Sequence, residues 1–393
     1  MADAEAGAAA EAPTEPARRL EPIADPRRRE EAREYARLRR RLFVLDLALS
    51  GAALVLLLVT GASIRLREAL AGLVTGYFGL VAAYVALLTI GYALVFSPLA
   101  YYSGYALPHR YRLSVQTVRA WIADYVKATL LGLAQAEVVA LAIYALLHLA
   151  PAWWWLWAAV VITLLAVLLA NLAPVLIVPL FLKQRPLEDE DLRRRLVALA
   201  ESCGARVRGV YVVDLSRRTR MANAGLMGIG NTRRIVLGDT LWERFQPDEI
   251  ETILAHELGH HVHHDLWRGI ALQGVLVFAA LWLADRILRA LAPALGLNGI
   301  DDVAGLPLLA LVAGGLFTLL LPVVNGFSRR WEAAADRFAV RITGNVAAWK
   351  RALCRLADQN LAEVDPPRWV EWLLYSHPSI RRRLEAADRE ASP

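Results

Sequence analysis

The residues most able to do chemistry are His256, Glu257 and His260, set in the run His256-Glu257-Leu258-Gly259-His260. On a helix, side chains four residues apart stand on the same face, so the two imidazoles can grip one divalent ion such as zinc. Glu257 leaves that line by one residue yet stays beside the open coordination position, where it can take a proton from water. Gln246-Pro247-Asp248-Glu249 supplies a helix start, and Ile250, Ile253, Leu254 and Leu258 recur at helical spacing. The five-residue pattern is also what a histidine-rich polar helix surface would show, since His261, His263 and His264 lie alongside. His264 is on the same stripe as His256, but about 12 Å of rise separates them, too far for one ion with bonds near 2 Å. A longer signature with a third histidine would need Gly at 263 and His at 266, where the chain has His263 and Leu266. A third ligand must come from elsewhere.

Glu332 is the candidate, in the block Asn325-Gly326-Phe327-Ser328-Arg329-Arg330-Trp331-Glu332-Ala333-Ala334-Ala335-Asp336. Two histidines and one glutamate, with water fourth, make a catalytic zinc set rather than a closed structural one. Asp336, one helical turn on, would accept the free ring N–H of a ligand histidine. The competing expectation is that both acids are exposed and pair with Arg329 or Arg337.

The elements that must position these groups are largely apolar. Of 393 residues 57% are hydrophobic, above the roughly 45–50% of soluble domains, and the excess falls in long runs. Six stretches reach the length of about 20 residues that a spanning helix needs: 42–63, 70–97, 127–149, 152–181, 268–288 and 303–325. Trp153, Trp154, Trp155 and Trp157 look like an interfacial belt. Residues 1–35 show no apolar periodicity and suggest a disordered or weakly helical stretch within a basic tail, 1–41; no cleaved signal peptide is expected. The expected division is that tail, a four-span membrane domain at 42–182, and a metallopeptidase domain at 183–393 carrying two further spans. Val210–Val213 and Arg234–Leu237 read as short strands, with a Gly-rich hairpin or irregular turn over Asn223–Asn231. Net charge is +6, but the cations flank apolar runs and no aromatic-interleaved basic surface appears, so no nucleic-acid partner is expected. Arg33, Arg37, Arg39, Arg40 and Arg41 before the first span, and Arg110, Arg112 and Arg119 after the second, place both termini and the active site in the cytoplasm. Arg286 and Arg289 sit awkwardly for that orientation. Cys203 and Cys354 form no disulfide framework. Asp46, Gln135 and Glu137 interrupt apolar spans, and either line water or bond between helices.

Several ordered blocks carry a family likeness. They are Tyr105 to Lys127, with Arg110, Gln116-Thr117, Asp124 and Lys127; Asn223-Ala224 with Arg233 to Leu237 and Asp239-Thr240-Leu241; the HELGH run; the Asn325 to Asp336 block; and Ser376-His377-Pro378 with Arg383. Together they span most of residues 100–385, and the chain resembles the type I CAAX prenyl endopeptidases and their bacterial relatives. These are membrane gluzincins, a group that also includes HtpX-like quality-control proteases. The resemblance implies a mostly α, polytopic membrane bundle of about six spans with a small β-sheet in the peptidase domain. It implies one zinc per chain, hydrolysis of peptide or membrane-protein substrates, and a hydrated chamber between the spans. It makes His377 and Arg383 candidates to contact the oxyanion or the substrate backbone, and Asn223 and Ala224 the strand on which extended substrate pairs. The chain departs from the pattern at Pro108-His109, at His261, and in lacking an additional early span. An HtpX-like protease and an inactive zinc-dependent scaffold are the alternatives; Asp124 and Lys127 favour the CAAX-type branch, and Glu257 speaks against a scaffold. Oligomeric state has no sequence signal.

Overall fold

The computed structural model describes residues 26–172, 176–228 and 230–391. The described residues begin with α1 (Pro26–Val59), then α2 (Ala62–Ala71), α3 (Tyr77–Tyr101), α4 (Leu107–Arg110), α5 (Val118–Leu149), α6 (Trp154–Leu172) and α7 (Val178–Phe181). Among the described residues six helical segments are long and apolar enough to cross a membrane: Pro26–Val59, Tyr77–Arg110, Val118–Leu149, Trp154–Leu172, Asp265–Leu291 and Val303–Thr343.

Their bounds correct several expectations. The tail expected over 1–41 is helical from Pro26 onward. Its charges pair along the helix, Arg28 with Glu31 at 3.0 Å and Arg37 with Glu30 at 3.2 Å. Ala32 and Tyr35 pack against Leu107, Tyr111, Leu113 and Leu361. Tertiary burial thus orders a stretch whose composition looked unstructured; residues 1–25 lie outside the described residues. The second span starts at Tyr77, because Gly76 takes a φ of 84° and separates it from α2. The fourth is helical over Trp154–Leu172 and again over Val178–Phe181, with residues 173–175 outside the described residues. None of Asp46, Gln135 and Glu137 makes a hydrogen bond or ion pair with another described residue, which leaves interhelical bonding unsupported.

Polar ties close the bundle at the end remote from HELGH. Trp154 Nε1 donates to buried Asp285 at 2.7 Å, Arg67 pairs with Asp302, and the Tyr77 hydroxyl donates to the Asp301 carbonyl at 2.8 Å. Arg286 and Arg289, awkward for orientation in the sequence, both pair with Asp285.

The peptidase half holds a four-stranded sheet in the order β1 (Gln184–Pro186), β2 (Val210–Val213), β4 (Arg234–Gly238), β3 (Ala224–Met227). Strands β2 and β4 run parallel, and the other pairs are antiparallel. The expected turn over Asn223–Asn231 is therefore β3 plus a tight return, and β3 is an edge strand. A Cβ on Gly228 would lie 2.6 Å from the Thr232 carbonyl oxygen, and its φ is +89°, so the turn needs glycine. The sheet packs on α8 (Glu190–Ser202) and α10 (Pro247–Val262) through Leu196, Val212, Ile235, Leu237, Leu254 and Leu258. Each such side chain contributes about 1.5–3 kcal/mol on burial. After α9 (Asp239–Trp242) and α10 come α11 (Asp265–Leu291), α12 (Leu306–Thr343), α13 (Val346–Asn360), α14 (Arg368–Leu374) and α15 (Ile380–Ala391). Helix α12 is unbroken for 38 residues despite Pro322, so the sixth span and the block bearing Glu332 are one rod.

Candidate metal centre

Helix α10 starts with a capping box, Gln246 and Glu249 each bonding the other's backbone N–H. It then runs beneath α12 at close quarters. A Cβ on Gly259 would meet the Ala335 Cα at 3.0 Å and its Cβ at 3.2 Å. A side chain at 259 would hold the helices apart, so glycine is what lets α10 bring His256 and His260 up to Glu332. One ligand atom from each of the three lies within 4.8 Å of the others. Nε2 of His256 stands 3.3 Å from Glu332 Oε2, and Nε2 of His260 stands 3.5 Å from Oε1. The two Nε2 atoms are 3.3 Å apart.

The far side of each ring shows why this is a metal fit. His256 Nδ1 is 2.9 Å from Asp336 Oδ1, and His260 Nδ1 is 2.9 Å from Asp265 Oδ2. Carboxylates only accept, so in the neutral rings the proton sits on Nδ1 and each Nε2 presents a lone pair. Two nitrogen lone pairs and a carboxylate then face one another with no donor among them, and a divalent cation satisfies all three. Burial alone would lower the pKa of the His256 imidazole; its bonds to Asp336 and Glu332 outweigh that and raise it to about 9. Proton and cation therefore compete for one nitrogen. Glu332 and Asp336 are buried, and Arg329 is turned elsewhere, so the expectation of exposed acids paired with Arg329 or Arg337 is overturned.

Arg383 grips Asp336 with both arms of its fork, Nε at 2.8 Å and Nη2 at 2.7 Å. Its guanidinium also lies over Trp349, 5.4 Å from the ring centre, and Trp349 stacks on His256 with centroids 5.6 Å apart. In this arrangement Arg383 acts through Asp336 on the His256 ring; the fork expected on substrate is already engaged. His377 Nε2 reaches within 3.1 Å of Glu332 Oε1, at the mouth of the site. The loop carrying it is clamped from α12: Arg329 donates to the carbonyls of Glu371 and Tyr375 at 3.0 and 2.6 Å, and Asn325 to that of Leu373 at 2.8 Å.

Glu257 makes no hydrogen bond or ion pair with another described residue. It lines two cavities. One, of about 360 Å³, includes Asn223, Ala224, His256, His377 and Arg383. The other, of about 280 Å³, includes Leu226, Gly228, Arg233, His260 and His264. The edge of β3 thus runs from one cavity to the next past Glu257, and an extended chain added to that edge would pass the metal site.

The structure thus brings His256, Glu257, His260, Glu332, Asp336, His377, Arg383, Asn223 and Ala224 to one cleft. Sequence reasoning missed Asp265 and the clamping role of Arg329. Asp265 follows His264, which adopts a φ of +56° and turns the chain sharply. An acid at the first position of the next helix was the available signal.

Comparison with known proteins agrees with this architecture. Residues 186–391 match the model of peptidase family M48, and residues 8–183 match that of the CAAX prenyl protease N-terminal region, described as five membrane helices. The chain is 30% identical over 363 residues to the uncharacterized metalloprotease YhfN of Bacillus subtilis (strain 168), covering 91% of this chain and 85% of that one. It is 33% identical over 307 residues to a CAAX prenyl protease 1 homolog of Arabidopsis thaliana, covering 75% and 70%. The crystal structure of S. mikatae Ste24p shares the fold, with a TM-score of 0.83 over 94% of this chain and 90% of that one at 24% identity. With its apolar helices and its matched catalytic half, the chain belongs to peptidase family M48 and is a multi-pass, membrane-embedded metallopeptidase.

Proposed function

We propose that the protein is a zinc endopeptidase of the CAAX prenyl protease type, in which His256, His260 and Glu332 hold the metal and Glu257 is the general base. The observation that carries this is the convergence of three lone-pair donors beside an unpaired carboxylate that faces two cavities. Zinc there would polarise the peptide carbonyl and make water more acidic. Glu257 removes the proton from the attacking water and delivers it to the departing amine. Asp336 and Asp265 hold the two imidazoles in the ligating tautomer, and Arg383 fixes Asp336. His377 donates toward oxygen at the reacting carbonyl. Asn223 and Ala224 begin the edge on which an extended peptide pairs by backbone hydrogen bonds.

The arginine-rich ends, before α1 crosses and around Arg110 to Arg119, support a cytoplasmic site, because basic residues gather on the cytoplasmic side of a membrane protein. The similar CAAX prenyl protease 1 proteins suggest C-terminal, lipid-modified peptides as the substrate class. Fluorogenic peptides with and without an isoprenyl cysteine test that preference. The decisive experiment for mechanism is Glu257→Gln: zinc content is retained while cleavage falls by at least about 100-fold. Cleavage at the parental rate would end the proposal.

A further inference from the structure

We propose that a second site, separate from the peptidase cleft, binds a soluble anion carrying clustered phosphates. A cavity of about 660 Å³ is lined by Arg27, Arg28, Arg112, Arg220, Arg244 and Arg355. These six come from α1, the turn after α4, the segment before β3, the turn after α9, and α13, so the fold gathers them from across the sequence. Only Glu31 and Asp358 oppose them in the lining. Arg28 is taken up by Glu31 and by the Asp358 carbonyl, and Arg355 by Glu249 and the Arg244 carbonyl. The guanidinium groups of Arg112, Arg220 and Arg244 have no such partner among the described residues. Guanidinium forks suit phosphate oxygens, which they meet two bonds at a time. Like charges gathered around one hollow repel unless an anion occupies it.

Size and place choose among anions. The volume falls within the range that takes one small molecule. Arg27 sits 14 residues before Arg41, the last cation ahead of the apolar part of α1. That is about 21 Å along the helix, well over two Debye lengths of about 8 Å at physiological salt, which puts the cavity in the aqueous phase beyond lipid headgroups. The cavity also backs onto the peptidase cleft: Gln359 bonds the Arg220 carbonyl at 2.7 Å on one side, and Asn360 bonds Ala222 at 2.8 and 3.0 Å on the other.

Calorimetric titration of the full-length, zinc-loaded protein in detergent, with excess magnesium, tests the site using ADP and inorganic pyrophosphate as probes. Both should bind, more weakly as salt rises, and Arg220→Gln/Arg244→Gln should lower affinity about tenfold or more. A control with equal charge loss, Arg193→Gln/Arg194→Gln on α8, should bind as the parent does. Retained peptidase activity shows that the variant folds; if the pair does not fold, exposed Arg112→Gln carries the same test. The proposal is overturned by no binding of either probe, by parental affinity in the cavity variant, or by equal loss in the control. Binding only to an oligonucleotide, to anionic vesicles, or to a peptide of residues 1–25 overturns it as well.

Discussion

Replacing Gly259 with alanine asks whether the helix crossing sets the metal geometry. The new methyl would lie 3.0 Å from the Ala335 Cα, 3.2 Å from its Cβ and 3.3 Å from its carbonyl oxygen. Ordinary carbon contacts begin near about 3.5 Å, so α10 and α12 must part by a few tenths of an ångström. Ligand bonds tolerate only about ±0.2 Å, and the two histidines ride on one helix while Glu332 rides on the other. Overpacking of this kind costs about 1–3 kcal/mol. If that strain is felt mainly by the metal-bound form, zinc affinity falls by roughly 5- to 150-fold, at about 1.4 kcal/mol per decade. Competition against a chromophoric chelator measures it directly. Adding Ala335→Gly removes the Cβ contact but leaves the Cα and carbonyl contacts, so rescue should be partial. Unchanged zinc affinity in Gly259→Ala would refute the claim that close approach of these helices builds the site.

Other outcomes follow from the same geometry. Asp265→Ala removes the acceptor behind His260 and should weaken zinc binding about 10- to 100-fold, read by the same competition; parental affinity would show that the ring needs no such support. Asp336→Ala strands the buried Arg383 guanidinium, costing about 3–5 kcal/mol in the thermal stability of metal-stripped protein, and Asp336→Leu/Arg383→Met should recover most of it. Because the His256 pKa is raised from 6.5 to about 9 in the folded, metal-free protein, the stabilisation it gives is complete below about pH 6.5 and is lost as pH rises through about 9. A metal-stripped melting temperature that rises over that window would contradict the pairing with Asp336 and Glu332. For the same reason zinc uptake near pH 7.5 should release about one proton, seen as a calorimetric enthalpy that changes with the buffer's heat of ionisation.

The sequence made some parts of this molecule legible through local pattern. The i, i+4 histidines announce themselves because helix periodicity alone aligns them. Glu332 could be proposed only from its block and the family likeness, since no spacing rule says that α12 crosses α10 at Gly259. Asp265 was missed because its role depends on His264 adopting a left-handed conformation, which a histidine seldom advertises. The first ten residues of α1, 26–35, looked disordered or weakly helical by composition and are ordered by contacts with Tyr111 and Leu361, far along the chain. The sixth span and the Glu332 block, read separately in the sequence, are one helix in which Pro322 is accommodated. Conversely, the runs Val210–Val213 and Arg234–Leu237 were recognisable as strands, and the structure has β2 over Val210–Val213 and β4 over Arg234–Gly238.

The continuous α12 has a mechanical consequence. Its apolar part is held at whatever tilt the local bilayer thickness demands, while the carboxylate of Glu332 rides rigidly on the same rod about seven residues, or about 10 Å, beyond Asn325. A change in lipid composition that leans the rod by a few degrees therefore displaces that carboxylate relative to α10 by a sizeable fraction of a coordination bond. Turnover is therefore expected to vary with acyl-chain length when the protein is assayed in bilayers of different thickness, with no ligand and no covalent change.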